Sequence, residues 1–459
     1  MASEAIGLEA VKAPAPPAAV EPFPAKVAAW YAVWMIALAN ALDSVDRGGI
    51  ALLIEPIKRD LHLTDTEVSL LTGFSFSLFY GLVGLPLSRL ADTSNRQRII
   101  GSVMMIWSLA TSAIAFVAGF WSLFVMRGVT GSAVSLKGPN GLSMISDMVP
   151  RRKLPTAMAV YNGGVAIGAG FTSIIVGLLL GWLGGKQFRV FGLPLHDWQM
   201  VFLIIGTPGV VLGLLFLLSV REPPRRGRAT TMRLPILEVF RFLWRERAIF
   251  FPFIVGSALL QIEAYGVLQW RFPFFSRTYG HAWGPAFLGP LMGTATLILS
   301  PVGFVIGAWI GQRWERRADP GAMVKLSILG SCLSLPVTLA MLLAPDPWTA
   351  FALSCVSTVG IGVSAPGAVA ALQNVTPNEF RGQISALYLF TIGVIGGGVG
   401  PLVVGVLNDY VFHSEAMLRY SMVVVTVIFG GLGLWLKFVC LPPYKERVGR
   451  VIAAERGAP

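Results

Sequence analysis

The stretches PRRKLPTAMAVY (Pro150 to Tyr161) and PNEFRGQISALY (Pro377 to Tyr388) lie 227 positions apart and share Pro150 with Pro377, Ala159 with Ala386 and Tyr161 with Tyr388. The same offset places Gly170 on Gly397. One coincidence would mean little; four at a single offset mark an internal repeat. Each copy sits between two long apolar runs, so the repeat relates two halves of the chain in the same orientation. Two parallel repeats enclosing a site at mid-depth is one of the standard plans of membrane transporters.

The apolar runs around these stretches have the length that hydrocarbon demands. Crossing it by helix takes about 20 mostly apolar residues, and the chain offers twelve such runs. They lie near residues 27–54, 68–87, 99–117, 123–145, 156–183 and 198–220, then 249–275, 285–310, 323–343, 349–372, 383–406 and 421–439. The composition agrees: 54% of the 459 residues are hydrophobic and only 13% charged, against about 25% charged in soluble domains, and the mean hydropathy is +0.68. The alternation of a β-barrel is absent. The expected fold is therefore all-α, twelve transmembrane helices in two pseudo-symmetric bundles of six. Its divisions are a disordered cytoplasmic tail at 1–25, rich in Ala and Pro, a first bundle at 26–220, a basic cytoplasmic linker at 221–247, a second bundle at 248–441 and a cytoplasmic tail at 442–459.

Charge sets the orientation. With the amino terminus inside, the inner loops hold Arg89, Arg96, Arg98, Arg151, Arg152, Lys153, the linker arginines, Arg313, Arg316 and Arg317. The outer loops hold chiefly Lys58, Arg59, Lys186, Arg189, Arg277 and Arg419. This asymmetry obeys the positive-inside rule and places both termini in the cytoplasm of a cell whose plasma (inner) membrane the chain spans. It also accounts for the net charge of +12 through topology and anionic bilayer lipids, without nucleic acid. Cys332, Cys355 and Cys440 have no metal-ligand or redox spacing. No phosphate-binding Gly-rich loop ends in Lys-Ser/Thr, and no nucleophile is paired with a base, so neither an ATP-driven pump nor an enzyme is expected, nor any cofactor or metal.

Charges inside the spans mark function. ANALDSVDRGG (Ala39 to Gly49) carries Asp43, Asp46 and Arg47 at spacings of three and four, one face of a helix. Each would cost roughly 2.5 to 3.5 kcal/mol facing lipid, so this face looks inward. Other intramembrane charges are few, and Arg127 and Lys137 in span four with Glu263 and Arg271 in span seven are those taken as candidates. Asp46 and Arg127 fall at similar depth and form a candidate ion pair, a structural clamp or a transport element with equal weight. The four histidines fall in outer loops or span ends, which leaves Asp43, Asp46 and Glu263 as the proton-coupling candidates; for Glu263 the plain alternative is neutralisation by Arg271 or Lys137. Arg47, Arg127 and Lys137 are the candidate head-group cations. Tyr265 and Trp270, in YGVLQWRFPFF, are candidate walls for an acyl chain. Gly168 and Gly170 in span five, with Gly397 and Gly400 in span eleven, are expected to pack helices closely and to serve as a sliding gate.

GLPLSRLADTSNRQRII (Gly84 to Ile100) resembles the loop between spans two and three that is the signature of the major facilitator superfamily, with Asp92, Arg96 and Arg98 matching and Ser88 and Asn95 replacing the usual glycines. GAWIGQRWERR (Gly307 to Arg317) is its weaker echo, with Gln312 in place of the Asp. The resemblance implies a rocker-switch fold whose cavity is lined by spans one, four, seven and ten, and a latch made by Asp92, Arg96 and Arg98 that holds the cytoplasmic ends together when the protein faces outward. DRGGIALLIEPIKRDLHLTDTEVSLLTGFSFSLFY, SMISDMVPRR, REPPRRG and ALQNVTPNEFRGQISALYLF resemble the spinster branch of that superfamily. This implies a monomeric secondary transporter of an amphipathic anionic lysolipid, a lysophospholipid or a sphingoid phosphate such as sphingosine 1-phosphate, coupled to protons. Spinster-like chains often carry a Glu in a Gly-x-Gly-Glu motif of span four; here GSAVSLKG has Val134, and Lys137 follows one turn later. The competing expectations are a carrier of a small organic anion or sugar, and a receptor or scaffold that moves nothing.

Overall fold

The computed structural model describes residues 23–87, 94–184, 186, 188–225 and 236–455. They form long helices joined by short connections, with one small hairpin, Phe188–Val190 paired antiparallel to Leu193–Leu195. The spans of the first half are Lys26–Gly49, Asp65–Leu87, Arg96–Ala113, Phe120–Met148, Leu154–Leu183 and Asp197–Ser219. Those of the second are Arg247–Tyr279, Pro285–Arg316, Ala322–Leu342, Pro347–Val375, Asn378–Phe412 and Leu418–Glu455. They are called spans one to twelve. Eleven are long and apolar enough to cross a membrane. The exception is span four, a 29-residue helix carrying Arg127 and Lys137; its polarity is that of a helix buried among others. The two-half, twelve-helix reading of the repeat is the observed architecture.

Within the basic segment between the halves, Ile236–Arg245 (ILEVFRFLWR) forms a separate short helix. Span twelve continues as helix to Glu455, through most of the stretch expected to be a tail.

The helix starts are written in the sequence. Span two opens on a capping box, the Thr64 hydroxyl accepting from Glu67 N–H at 3.2 Å and the Glu67 carboxylate from Thr64 N–H at 2.8 Å. Asn95 accepts from Arg98 N–H at 2.9 Å to cap span three, and Asp346 from Thr349 N–H at 2.9 Å to cap span ten. Spans two, eleven and twelve each contain a wider, π-helical turn, at Leu70–Phe74, Ile392–Gly396 and Thr426–Gly430; such turns shift the face a helix presents and cluster at functional segments.

Where the halves meet is set by small residues. An even number of spans puts both termini at one end of the bundle, the terminal end; the loops after spans one, seven and eleven mark the distal end. A side chain at Gly170 would lie 3.1 Å from the Gly293 carbonyl oxygen and one at Gly177 would lie 2.6 Å from Pro290 Cδ, so spans five and eight touch backbone to backbone. Spans two and eleven do the same: a side chain at Gly73 would meet the Gly397 carbonyl oxygen at 2.5 Å, and one at Gly405 that of Asp65 at 2.6 Å. One hydrophobic cluster at the distal end draws on both halves, including Leu53, Leu71 and Phe202 with Trp270, Leu288 and Met341. Toward the terminal end each half has its own cluster, around Trp107 and Met144 in the first and Phe253 and Tyr388 in the second. The halves are thus joined distally.

A valine at Gly177 should wedge spans five and eight apart there. Spin labels at Phe191→Cys and His281→Cys should report a longer distance in Gly177→Val than in the native protein; an unchanged distribution would show that this contact does not hold the distal end shut.

Candidate functional site

The charged face of span one is built into the first half. Asp43 and Asp46 are buried, as are Arg127 and Lys137, which reach them from span four. Asp43 Oδ2 accepts from Arg47 Nη2 at 2.8 Å, one turn along its own helix, and from Lys137 Nζ at 3.0 Å. Lys137 also donates to the Ala39 carbonyl at 3.3 Å and lies 4.9 Å from the Trp107 ring centre. Each residue has an identifiable source of position: the i to i+4 spacing brings Arg47 over Asp43, and Lys137 occupies the depth of the Val134 turn plus one.

The second pair is looser. Asp46 Oδ1 accepts from the Thr111 hydroxyl of span three at 2.8 Å, whereas its Oδ2 stands 3.8 Å from Arg127 Nη1, beyond hydrogen-bond length. Arg127 Nε and Nη1, Asp46 Oδ2 and Asp43 Oδ1 are all buried without a hydrogen-bond partner. Both guanidiniums, of Arg47 at 5.6 Å and Arg127 at 5.5 Å, lie against the ring of Phe76 from span two. Two carboxylates thus face three cations, and one cation keeps unused donors beside an arginine whose side chain is 40% exposed. An acceptor-rich anion is the ligand such an arrangement is short of.

The span-seven candidates separate. Glu263 is buried, and neither of the neutralising partners expected for it reaches it: Lys137 is taken by Asp43, and Arg271 lies over the Phe272 ring at 5.5 Å with its Nε unbonded. Tyr265 is 39% exposed. Trp270 is a correction. It is fully buried, its indole N–H donates to the Pro401 carbonyl at 3.1 Å, and Arg277 covers its ring at 5.4 Å; it is a strut between spans seven and eleven, with no surface left for an acyl chain.

The four glycines divide by partner. A side chain at Gly168 would strike the Ala41 carbonyl oxygen at 2.5 Å, and one at Gly400 that of Ile262 at 2.5 Å, both inside a half. Gly170 faces Leu297 and Gly293 of span eight, and Gly397 faces Ser77 of span two. The pair related by the repeat is the pair on the seam between the halves.

Asp92 lies outside the described residues. Arg98 is exposed, and Arg96 is buried in the first half, where Nη1 donates to Asp147 at 2.5 Å and Ser143 at 2.9 Å, Nε to Glu222 at 2.7 Å, and Nη2 to the Pro223 carbonyl at 3.2 Å. One guanidinium therefore ties the terminal ends of spans three, four and six together. Asp147 and Glu222 stand in SMISDMVPRR and REPPRRG, but nothing in their spacing announced that they converge.

A second ionic cluster went unanticipated. At the distal end the buried Asp65 accepts from Arg277 of span seven at 2.7 and 2.9 Å, from Asn408 of span eleven at 2.5 Å, and from Lys58. Arg277 also donates to Glu55 at 2.7 Å, Lys58 to Glu415 at 2.7 Å, and the Asp409 carboxylate accepts from Thr66 N–H at 2.6 Å. Every one of these links except Lys58 with Asp65 joins the two halves. In sequence Arg277 reads only as one more outer-loop cation, and Asp65 carries no local signal.

Arg96 holds two carboxylates in a buried site, so truncating it strands both. Arg96→Gln should cost about 3 to 5 kcal/mol of stability, visible as a lowered unfolding temperature in detergent, with Arg96→Lys losing less. Unchanged melting in Arg96→Gln would remove it as the tie.

Relatives and solved structures agree with the fold. The family model described as Major Facilitator Superfamily matches residues 36–401. An MFS-type efflux pump of Mycolicibacterium smegmatis is 27% identical over 416 residues, covering 89% of this chain and 92% of the pump. The niacin transporter NiaP of Acinetobacter baylyi is 22% identical over 450 residues, covering 87% and 93%. A crystal structure of a bacterial homologue of the human lysosomal transporter Spinster, inward-facing and unoccupied, superposes with a TM-score of 0.74 at 21% identity, covering 94% of this chain and 98% of that one. The fold is that of the spinster-like carriers, and the chain belongs to the major facilitator superfamily as a multi-pass secondary transporter rather than an enzyme.

Proposed function

We propose that the protein carries an amphipathic anion, a lysophospholipid or sphingoid phosphate, by rocker-switch alternating access coupled to protons. The observation that carries the reading is the unspent donor capacity of Arg127 beside the accessible Arg47. A phosphate brings several acceptor oxygens, and guanidinium forks match it bidentately. Tyr265 supplies apolar surface nearby for the start of a chain.

The termini are taken to be cytoplasmic, on the loop charges, in the plasma (inner) membrane. Distal closure by Asp65, Arg277 and the glycine seam then makes this the state closed to the outside. Arg96 and Arg98, with Asp92, belong to the loop that would latch the opposite end in the other state, and Gly170 and Gly397 to the surfaces that slide. Among the coupling candidates, Asp43 and Asp46 already have cations beside them. Glu263, lacking one, is the carboxylate most available to a proton.

A second reading has its own support. The relatives named as the niacin transporter NiaP and as the Escherichia coli hexuronate transporter are named for small organic acids, and the same cations would serve a carboxylate without any acyl chain.

Flux of labelled lysolipids into proteoliposomes separates these readings. Native protein should take up anionic lysolipid and respond to an imposed pH gradient. Arg127→Gln should lose about 2 to 5 kcal/mol of substrate interaction, enough to abolish uptake at ordinary concentrations. Asp46→Asn with Arg127→Gln should restore folding but not flux; recovered flux would make the pair a clamp only. Glu263→Gln should lose the response to the gradient, and a retained response would clear Glu263 of coupling. Uptake of small organic anions with none of lysolipid would favour the second reading.

A further inference from the structure

The second half contains a cavity of about 320 Å³ of its own, away from the Asp43 and Arg127 cluster, between spans seven, nine, ten, eleven and twelve, with a polar strip set into an otherwise apolar wall. Its lining is unusual for membrane helices: Ser331 and Ser334 of span nine, Ser364 of span ten, Tyr388 of span eleven, and two charges, Glu263 and Lys437. Both charges are buried, yet they form no ion pair with each other. Lys437 Nζ donates to the Ser257 hydroxyl at 2.5 Å and stands 3.5 Å from the Phe253 ring centre. An ammonium has three donors, and no carboxylate spends any of them here.

The two charges sit at different depths. A side chain at Gly430 would lie 3.4 Å from Glu263 Cγ, and Lys437 follows Gly430 by two turns, about 10 Å of rise. Isolated charges this deep in a membrane protein are costly and are retained for function by default. If their purpose were mutual neutralisation, they would be paired. A carboxylate and an ammonium held apart in one hydroxyl-lined space complement a ligand that bears both charges itself.

From this we infer that the cavity binds a zwitterion, with a primary ammonium on Glu263, an acidic phosphate or carboxylate on Lys437, and the serine hydroxyls completing both. Its volume is at the lower end of the roughly 300 to 1,000 Å³ of small-molecule pockets, so it takes a head group or a free solute and not an acyl chain. On one side it is bordered by Ile361 and Val369 of span ten, which are exposed, and this is the path by which such a ligand enters. The inference uses the transporter reading only to explain why a membrane protein would keep the site.

Calorimetric titration of the full chain in nanodiscs tests it without any flux. Free phosphoethanolamine and short-chain lysophosphatidylethanolamine are the probes, with inorganic phosphate and ethanolamine as single-charge controls. The native protein should bind at least one zwitterion better than either control. Binding of both probes supports a site for free solutes; binding of the lysolipid alone supports a head-group site. Glu263→Gln and Lys437→Met should each weaken binding about tenfold or more, the scale of a lost charged hydrogen bond. Ala368→Leu, which fills the cavity with apolar bulk and touches neither charge, should do the same with melting unchanged, so misfolding cannot imitate the result. Binding of neither probe, or binding indifferent to all three variants, overturns the site. Because the readout is affinity, absence of anionic lysolipid flux would defeat the preceding reading and leave this one standing.

Discussion

A charge inside hydrocarbon must find its counter-charge within the protein, and the arrangement of this molecule follows from how that is done. Asp43 is neutralised by Arg47 and Lys137, both at hydrogen-bond distance from its Oδ2. Arg127 is not: its nearest carboxylate oxygen is 3.8 Å away, and two of its nitrogens have no bond at all. In the low dielectric of a helix bundle, such a shortfall is an attraction waiting for an anion. Span four can hold these cations only because spans one, two and three wrap it, which is why its own hydropathy falls below that of the other eleven.

The second constraint is mechanical. A carrier's halves must adhere at one end and release, so the seam needs strong contacts that are few and localised. Here they are backbone contacts at glycine, on Gly73, Gly170, Gly177 and Gly293, and an ionic knot around Asp65. The knot draws on spans two, seven and eleven and on the loop after span one. A single carboxylate serving Lys58, Arg277 and Asn408 is a compact lock: moving one span by a few ångströms breaks several bonds together. Within each half, by contrast, ties such as Arg96 with Asp147 and Glu222 are made between helices that travel as one body.

The fold was legible because its determinants are periodic and local. Run length and the repeat at one offset identify twelve spans and two halves. The inward face of span one was legible too, since lipid forbids three charges on an outward one. What sequence could not supply was convergence from distant positions. Trp270 looked like a wall because aromatics do line cavities, yet the carbonyl of Pro401, 131 residues away, claimed its N–H. Asp65, Glu222 and Asp147 each carry an unremarkable local context, and their partners lie on other elements, whereas Lys437 is a lone cation inside the apolar run 421–439 whose signal was passed over. Gly170 and Gly397 were marked by the repeat as equivalent, but only packing distinguishes them from Gly168 and Gly400.

We propose that the incomplete pairing of Arg127 makes the first half a receptor for an anionic head. The most direct measurement is a cryo-electron microscopy structure of the protein bound to a lysophospholipid. Phosphate density within hydrogen-bond distance of the Arg127 guanidinium, with Arg47 closing over it and Asp46 still beside Thr111, is the predicted result. Phosphate density elsewhere, with Arg127 drawn into full contact with Asp46, would show that Arg127 does not receive the head group.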